Sequence, residues 1–347
     1  MKGIPTTREI AARVGCSHVT VSRALKNSPL VKEDLRDRIW AVAKELGYRP
    51  NPLVASLMTN RAMKRRKENL TCTLGWLNTH PNPKFWQTWP YRRIYLEGAR
   101  ERAEELGYAI DVIWGVEPGM TGKRLEDILI SRGIYGLILP SPLEAVGGMG
   151  MNWDPFAVVC IGQKAPDQLP WHRVTLAIRD SMQLCIERLL GMGYTRIGLA
   201  IPDRISSYGT IPIESIFSYY VRLMPEKFVS EELLYHRYKG PYEEELKNWL
   251  GAHEPDVIIC MDIEVLKVCR DMGLHVPEDV GLAHLHLAQD VKGWAGVDPY
   301  EKRQAAAAVD LVTSHLQRNE RGVPPYAKMV QIFGDWRDGW TCRASGE

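Results

Sequence analysis

Between residues 6 and 26 the chain reads Thr-Thr-Arg-Glu-Ile-Ala-Ala-Arg-Val-Gly-Cys-Ser-His-Val-Thr-Val-Ser-Arg-Ala-Leu-Lys, and little except two short helices across a tight turn satisfies that order. Thr6, three residues before Glu9, forms a capping box that starts the first helix. Ile10 and Val14 lie one turn apart on its inner face, and the small Ala11 lets a second helix pass close. Gly15 supplies the turn, and the Ser17 hydroxyl caps the next helix. Val21, Ala24 and Leu25 make the apolar stripe of that helix, which leaves His18, Val19, Ser22 and Arg23 outside it. This is the pattern of a helix-turn-helix, whose second helix enters a DNA major groove. His18, Val19 and Arg23 then face base edges. Arg forks onto guanine O6 and N7, whereas Val offers only apolar contact, for instance to a thymine methyl. Ser17, Thr20, Ser22 and Lys26 are assigned to phosphates, together with Thr7, Tyr48 and Asn51.

A third helix follows, with Leu35, Ile39, Val42, Ala43 and Leu46 at helical spacing and Gly47 at its end. The joint after it runs Tyr48-Arg49-Pro50-Asn51-Pro52-Leu53-Val54-Ala55-Ser56-Leu57-Met58. Here the chain resembles the lactose-repressor (LacI/GalR) family of bacterial transcription regulators. The resemblance rests on Thr-Val-Ser-Arg-Ala-Leu at 20–25, Glu-Leu-Gly-Tyr-Arg-Pro-Asn at 45–51, and the hinge reaching Leu57. It is strong to about residue 60 and looser over the rest. Lys32 departs from it, standing where the family usually caps its third helix with Ser. Pro52 sets helix-compatible φ, and the five residues after it make barely two turns, too few to persist alone in water. The resemblance implies that two hinge copies pair over the operator's minor groove, with Ala55 and Leu57 against it and Leu57 wedged into the central base step. The alternative is that Leu57 packs the hinge onto the head.

Charge divides the chain at the same place. Residues 1–67 hold 15 Lys/Arg against 5 Asp/Glu, a net of +10, while the remainder holds 29 against 37, a net of −8. A basic head on an acidic body suits a DNA-binding module joined to one that does not bind DNA. Arg61, Lys64, Arg65, Arg66 and Lys67 form a basic tether that is either solvated, in contact with phosphates, or both. The seven cysteines form no Cys-x-x-Cys pair and no zinc spacing, so they read as buried free thiols in a reducing compartment. With a capped helix at the start and no 18-residue apolar run, the expectation is a cytoplasmic protein with no leader and no membrane partner.

Beyond residue 70 apolar strands alternate with helices that end at Gly107, Gly193 and Gly273. That order means parallel sheets covered on both faces, here two doubly wound subdomains with a cleft between them. The resemblance implies the same: a periplasmic-binding-protein-like core whose chain crosses between lobes near 162–173, 288–297 and 322–328. The expected organisation is therefore an all-α helix-turn-helix head over 1–50, a hinge helix and basic linker over 51–69, and an α/β core over 70–347. Lobe 1 would take about 70–165 and 298–324, and lobe 2 about 170–295 and 326–347.

The core shows no nucleophile elbow, no phosphate-cradling loop and no dinucleotide fingerprint after a strand, and the nine histidines have no metal spacing. No catalytic residue, metal or cofactor is assigned, and a sensing domain is expected instead of an enzyme. Ligands of open parallel sheets bind beyond the strands' carboxyl ends, which selects Asn78, Thr79, Asp262, His286 and Asp298. Trp86 and Trp89 lie in a loop with Phe85. Indoles stack on sugar rings and carboxylates accept from hydroxyls, so a carbohydrate effector suits this set; the alternative is that the tryptophans pack the lobe or a dimer contact. Family members often carry Arg-x-x-Gly-Phe, whose Arg clamps the effector, where this chain has Ile213-Glu214-Ser215-Ile216-Phe217. Their acidic pair is replaced around Leu285-His286-Leu287, and their Asn-Asp appears as Met261-Asp262. Leucine heptads are absent from the tail, so a homodimer on a pseudo-palindromic double-stranded operator is expected, with a small molecule controlling a repressor. A DNA-binding regulator read by a protein partner, or without small-ligand control, is the alternative.

Overall fold

The computed structural model describes residues 6–25, 31–48, 72–84, 90–140, 150–162, 170–202, 207–230, 232–235, 242–287, 291 and 293–344. Lys26, Asn51, Ala55, Leu57, Trp86 and Trp89 lie outside them, as does the rest of the hinge and linker.

The head is three helices: α1 (Thr7–Val14), α2 (His18–Ala24) and α3 (Glu33–Glu45). The capping box forms as its spacing demands. The Thr6 hydroxyl accepts from the Glu9 N–H, and the Glu9 carboxylate accepts from the Thr6 N–H at 2.6 Å. Gly15 sits at φ +77°, a left-handed turn that a Cβ would strain. Ile10, Val21, Ala24, Ile39 and Ala43 are buried together and hold the three helices on one small core. At the start of α3, Lys32 makes no side-chain cap; Glu33 and Asp34 in the first turn oppose the helix dipole there instead.

The core contains two six-stranded sheets. Strands β1 (Cys72–Asn78), β2 (Tyr108–Trp114), β3 (Gly136–Leu139), β4 (Ala157–Ile161), β5 (His172–Leu176) and β11 (Met329–Ile332) make the first, in the order β11-β5-β4-β3-β1-β2. Helices α4 (Pro90–Glu105), α5 (Gly122–Ser131) and α10 (Glu301–Arg318) belong to the same lobe. The second sheet takes β6 (Ile197–Pro202), β7 (Leu233–Tyr235), β8 (Val257–Cys260), β9 (Gly281–His284), β10 (Ala295–Asp298) and β12 (Asp335–Arg337), in the order β12-β10-β9-β8-β6-β7. Its helices are α6 (Ile178–Gly191), α7 (Ser207–Leu223), α8 (Tyr242–His253) and α9 (Glu264–Asp271). All pairings are parallel except β10 with β12. Both faces of each sheet are covered, which is why the central strands are buried along their whole length.

The lobe boundaries differ from those expected. The strand at 172–176 belongs to the first sheet, so the first crossing follows Leu176 instead of lying within 162–173. Its polar residues disguised it. His172 accepts the Lys328 N–H at 2.9 Å and Arg173 donates to the Gly162 carbonyl at 2.7 Å, so a polar strand is buried with its groups satisfied. The second crossing follows Asp298, later than 288–297, because the four-residue β10 still pairs in the second sheet. The third lies between Ile332 and Asp335, not at 322–328, because 329–332 pairs with β5 in lobe 1.

Candidate DNA-reading surface and effector cleft

The amino end of α2 is built to be read from outside. The Ser17 hydroxyl accepts the Thr20 N–H at 3.0 Å and lies 2.8 Å from the Thr20 hydroxyl, so the two assigned phosphate contacts also fix the helix start. His18, Val19 and Arg23 are exposed, Val19 at 45%, while Val21 and Ala24 are buried beneath them. An apolar side chain held in solvent at the tip of a rigid helix is a natural reader of a thymine methyl. Thr7, Ser22 and Tyr48 are half-buried, and the Tyr48 ring packs on the head core, so only its hydroxyl end is left for a phosphate. Arg13 is turned away onto Glu45 at 2.7 Å, and Arg38 reaches the Val14 carbonyl at 3.5 Å, tying α3 to the end of α1.

In the core, the chain crosses between lobes from the carboxyl ends of β5, β10 and β11, so these ends of the sheets border the space between the lobes. Strand order reverses between β1 and β3 in one sheet and between β6 and β8 in the other. These are the topological switch points where open α/β sheets hold ligands. Thr79 follows β1 and Asp262 follows β8, so sequence position and topology select the same two residues. Thr79 is 2% exposed and its hydroxyl has no hydrogen-bond partner among the described residues. Asp262 is 4% exposed, with one carboxylate oxygen accepting the Glu264 N–H at 3.2 Å.

Other assigned residues are already engaged. The Asn78 carboxamide accepts the His80 N–H at 3.0 Å and donates toward the carbonyls of Asn82 and Pro83, which shapes the loop after β1. Asp298 accepts the Tyr300 N–H at 2.8 Å and the Arg337 Nε at 2.6 Å, so its charge is matched within the protein. His286 stands 3.4 Å from the carboxylate of Glu301, the first residue of α10. His284, one pleat earlier, accepts the His286 N–H at 3.2 Å. Burial and the neighbouring His286 push its imidazole down to about 3, so it stays neutral, a structural histidine satisfied by backbone. Ile213, at the position of the family's clamping Arg, is fully buried in the lobe 2 core with Phe217, so no guanidinium enters from there.

Sequence reasoning missed Tyr300 and Glu301. Glu301 was legible only as an acid in a helix's first turn; its burial against lobe 2 is a tertiary fact. The thiols have no described disulfide partners. Burial raises Cys160, Cys269 and Cys342 to about 12, which keeps these three protonated. Among the described residues no group of His, Cys, Asp and Glu could hold a metal ion, and no helix is long and apolar enough to cross a membrane.

Residues 6–51 match the family model for bacterial regulatory proteins of the lacI family. The HTH-type transcriptional regulator reg1 of Streptomyces lividans is 28% identical over 305 residues, 80% of this chain and 79% of its own. The structure of the Lac repressor dimer bound to operator and the anti-inducer ONPF superposes with a TM-score of 0.59 at 16% identity, covering 99% of this chain and 100% of that one. That of the transcriptional regulator CelR–cellobiose complex does so with a TM-score of 0.60 at 17% identity, covering 97% and 99%. At such identities the two structures speak for the fold, a head joined to a periplasmic-binding-protein-like core. With the lacI-family model on the helix-turn-helix head and similarity to regulators of that family along most of the chain, this protein is a DNA-binding transcriptional regulator similar to those of the LacI/GalR family.

Proposed function

We propose that the protein is a dimeric repressor whose operator affinity is controlled by a small molecule bound between the lobes. The observation that carries the ligand half is the pair of buried polar residues at the two switch points, Thr79 and Asp262, one with an unsatisfied hydroxyl. A buried hydroxyl without a partner costs stability unless a ligand or water completes it. Thr79 and Asp262 are the primary effector contacts in this reading, with His286 a further one. Asn78 and Asp298 shape the cleft, and Trp86 and Trp89 supply stacking faces. A carbohydrate suits hydroxyl and carboxylate groups of this kind, and cellobiose occupies CelR, a regulator of the same fold. The operator half rests on His18, Val19 and Arg23 against bases, with Ser17, Thr20, Ser22, Lys26, Thr7, Tyr48 and Asn51 against phosphates. The hinge, through Ala55 and Leu57, joins the two halves over the minor groove. Two subunits would meet a pseudo-palindromic site, as the Lac repressor dimer meets its operator.

The test begins with selection of bound duplexes from a random pool by the full chain. Thermal unfolding is then followed with a panel of neutral sugars, sugar phosphates and uronates. A ligand at a hundredfold over its dissociation constant raises stability by about 2.7 kcal/mol. That ligand should change affinity for the selected duplex, and Asp262→Ala should abolish its binding while the unliganded protein still unfolds cooperatively. Calorimetry showing full ligand affinity in Asp262→Ala would remove the cleft assignment. A selected duplex indifferent to every ligand would favour control by a protein partner.

A further inference from the structure

The amino end of α10 is held by side chains of both lobes. This helix is central to lobe 1, packing on α4 and against β3, β4 and β5. Yet its first residues are held by lobe 2 at two separate places. Tyr300, which precedes the helix, sits at φ 53° and ψ 55°, a left-handed conformation that disfavours a residue with a Cβ. Its N–H donates to Asp298 Oδ1 at 2.8 Å, and its hydroxyl donates to Asp335 Oδ2 at 2.7 Å. Asp298 is matched in turn by the Arg337 guanidinium, and Arg303 lies over the Tyr300 ring at 4.1 Å. The next residue, Glu301, is 5% exposed, and its Oε1 lies 3.4 Å from His286 Nε2, beyond β9 on the cleft side. The first and third crossings are also tied together, by the Ala177 N–H on the Ile332 carbonyl at 2.9 Å.

We propose that the start of α10 is the pivot between the lobes and that Tyr300 is the positioning residue that holds it, with the Tyr300–Asp335 bond clamping the outer side and the 3.4 Å approach of Glu301 to His286 bracing the cleft side. A tilt of α10 against lobe 2 would break the Tyr300–Asp335 bond or part Glu301 from His286. A strained backbone persists where its surroundings over-determine it, and here the hydrogen bonds to Asp298 and Asp335 and the Arg303 guanidinium over the ring do so. The coupling of this pivot to an occupant of the cleft, through His286, rests on the ligand-controlled reading above; the pivot itself does not.

Hydrogen–deuterium exchange of the full chain, read by mass spectrometry without DNA or ligand, tests the pivot independently of that reading. Tyr300→Phe keeps the ring and removes the hydroxyl. It should accelerate exchange about two- to tenfold in peptides over 299–305 and 333–337 and leave peptides from α2 and β1 to β3 unchanged. Asp335→Asn should act on the same peptides, and the double variant should add little to either single one. His286→Gln should accelerate 299–305 without affecting 333–337. Unchanged exchange over 299–305 in Tyr300→Phe overturns the proposal. So does a rise spread evenly over the whole chain, which would make Tyr300 an ordinary packing residue, and so does full additivity of the two variants.

Discussion

Arg23 and Val19 show how much one exposed side chain can decide on a rigid frame. The helix that carries them is fixed by the Ser17 cap and by Val21 and Ala24 in the head core, so their positions on the head are set in the free protein. Arg23→Ala should weaken binding to a selected duplex by about 1–3 kcal/mol and relax preference at a single base pair. Titration of that variant against a panel of single-base-pair changes checks this; an equal loss on every sequence would make Arg23 a phosphate contact. Thr341 is the matching case in the core. Fully buried, its hydroxyl donates to the Leu282 carbonyl at 2.6 Å and accepts the Ala295 N–H at 3.0 Å, joining β9 to β10. Thr341→Val keeps the shape and removes the acceptor of the Ala295 N–H, leaving the Leu282 carbonyl with the weaker Cys342 thiol donor, at a cost of about 1–3 kcal/mol. Urea unfolding should show a lower midpoint with an unchanged slope.

Among the elements, β5 and α10 are joined at one end by two stacked imidazoles. The ring centroids of His172 and His315 lie 4.0 Å apart with their planes 3° from parallel. Burial, then the charges of His315 and Lys328, push His172 down to about 4, with Glu320 opposing and Arg318 adding to the shift. His315 is lowered by burial too, although its 2.6 Å contact with Glu320 works the other way. Above the ordinary histidine value of about 6.5 neither the folded nor the unfolded chain binds protons here. Below it the unfolded chain does and the folded chain does not, so stability falls as pH drops from about 6.5 toward about 4. His172→Asn places an oxygen where Nδ1 accepts the Lys328 N–H. The expected outcome is a smaller loss of Tm between pH 7 and pH 4.5 than in the parent, measured by thermal unfolding across that range. Equal losses would assign the acid sensitivity elsewhere, His284 first.

The whole molecule depends on three thin crossings, and the third leaves no spare room. Gly334 stands where an added Cβ would meet Val297 Cγ1 at 2.6 Å and the Asp298 carbonyl at 2.8 Å. β10 and β12 therefore meet at van der Waals distance just where the chain passes between lobes. Gly334→Ala should destabilise the core by about 1–3 kcal/mol through overpacking, and should change the lobe angle because the crossing must move aside. Urea unfolding checks the first effect and small-angle scattering the second; a variant as stable as the parent would show that the crossing yields freely. At this scale charge also separates, with a basic head to meet DNA and an acidic body that does not compete for it.

What could be read directly was local. Capping boxes, glycine turns and helical stripes act within a few residues, so the head was legible nearly residue by residue, and so were the doubly wound class and the switch-point residues Thr79 and Asp262. The lobe boundaries were not. β5 is polar in three of its five positions, and partners outside the strand, among them the Lys328 N–H and the Gly162 carbonyl, make its burial tolerable. β11 and β12 are separated by two residues yet belong to different sheets, a choice made by the partners available and not by their own composition. Asp298 looked like a ligand residue because it ends a strand, but Arg337 and Tyr300 claim its oxygens. Local sequence determined which elements form and which side chains the head exposes; long-range pairing of backbone and charge decided which lobe each strand joins and which buried polar groups are matched within the protein.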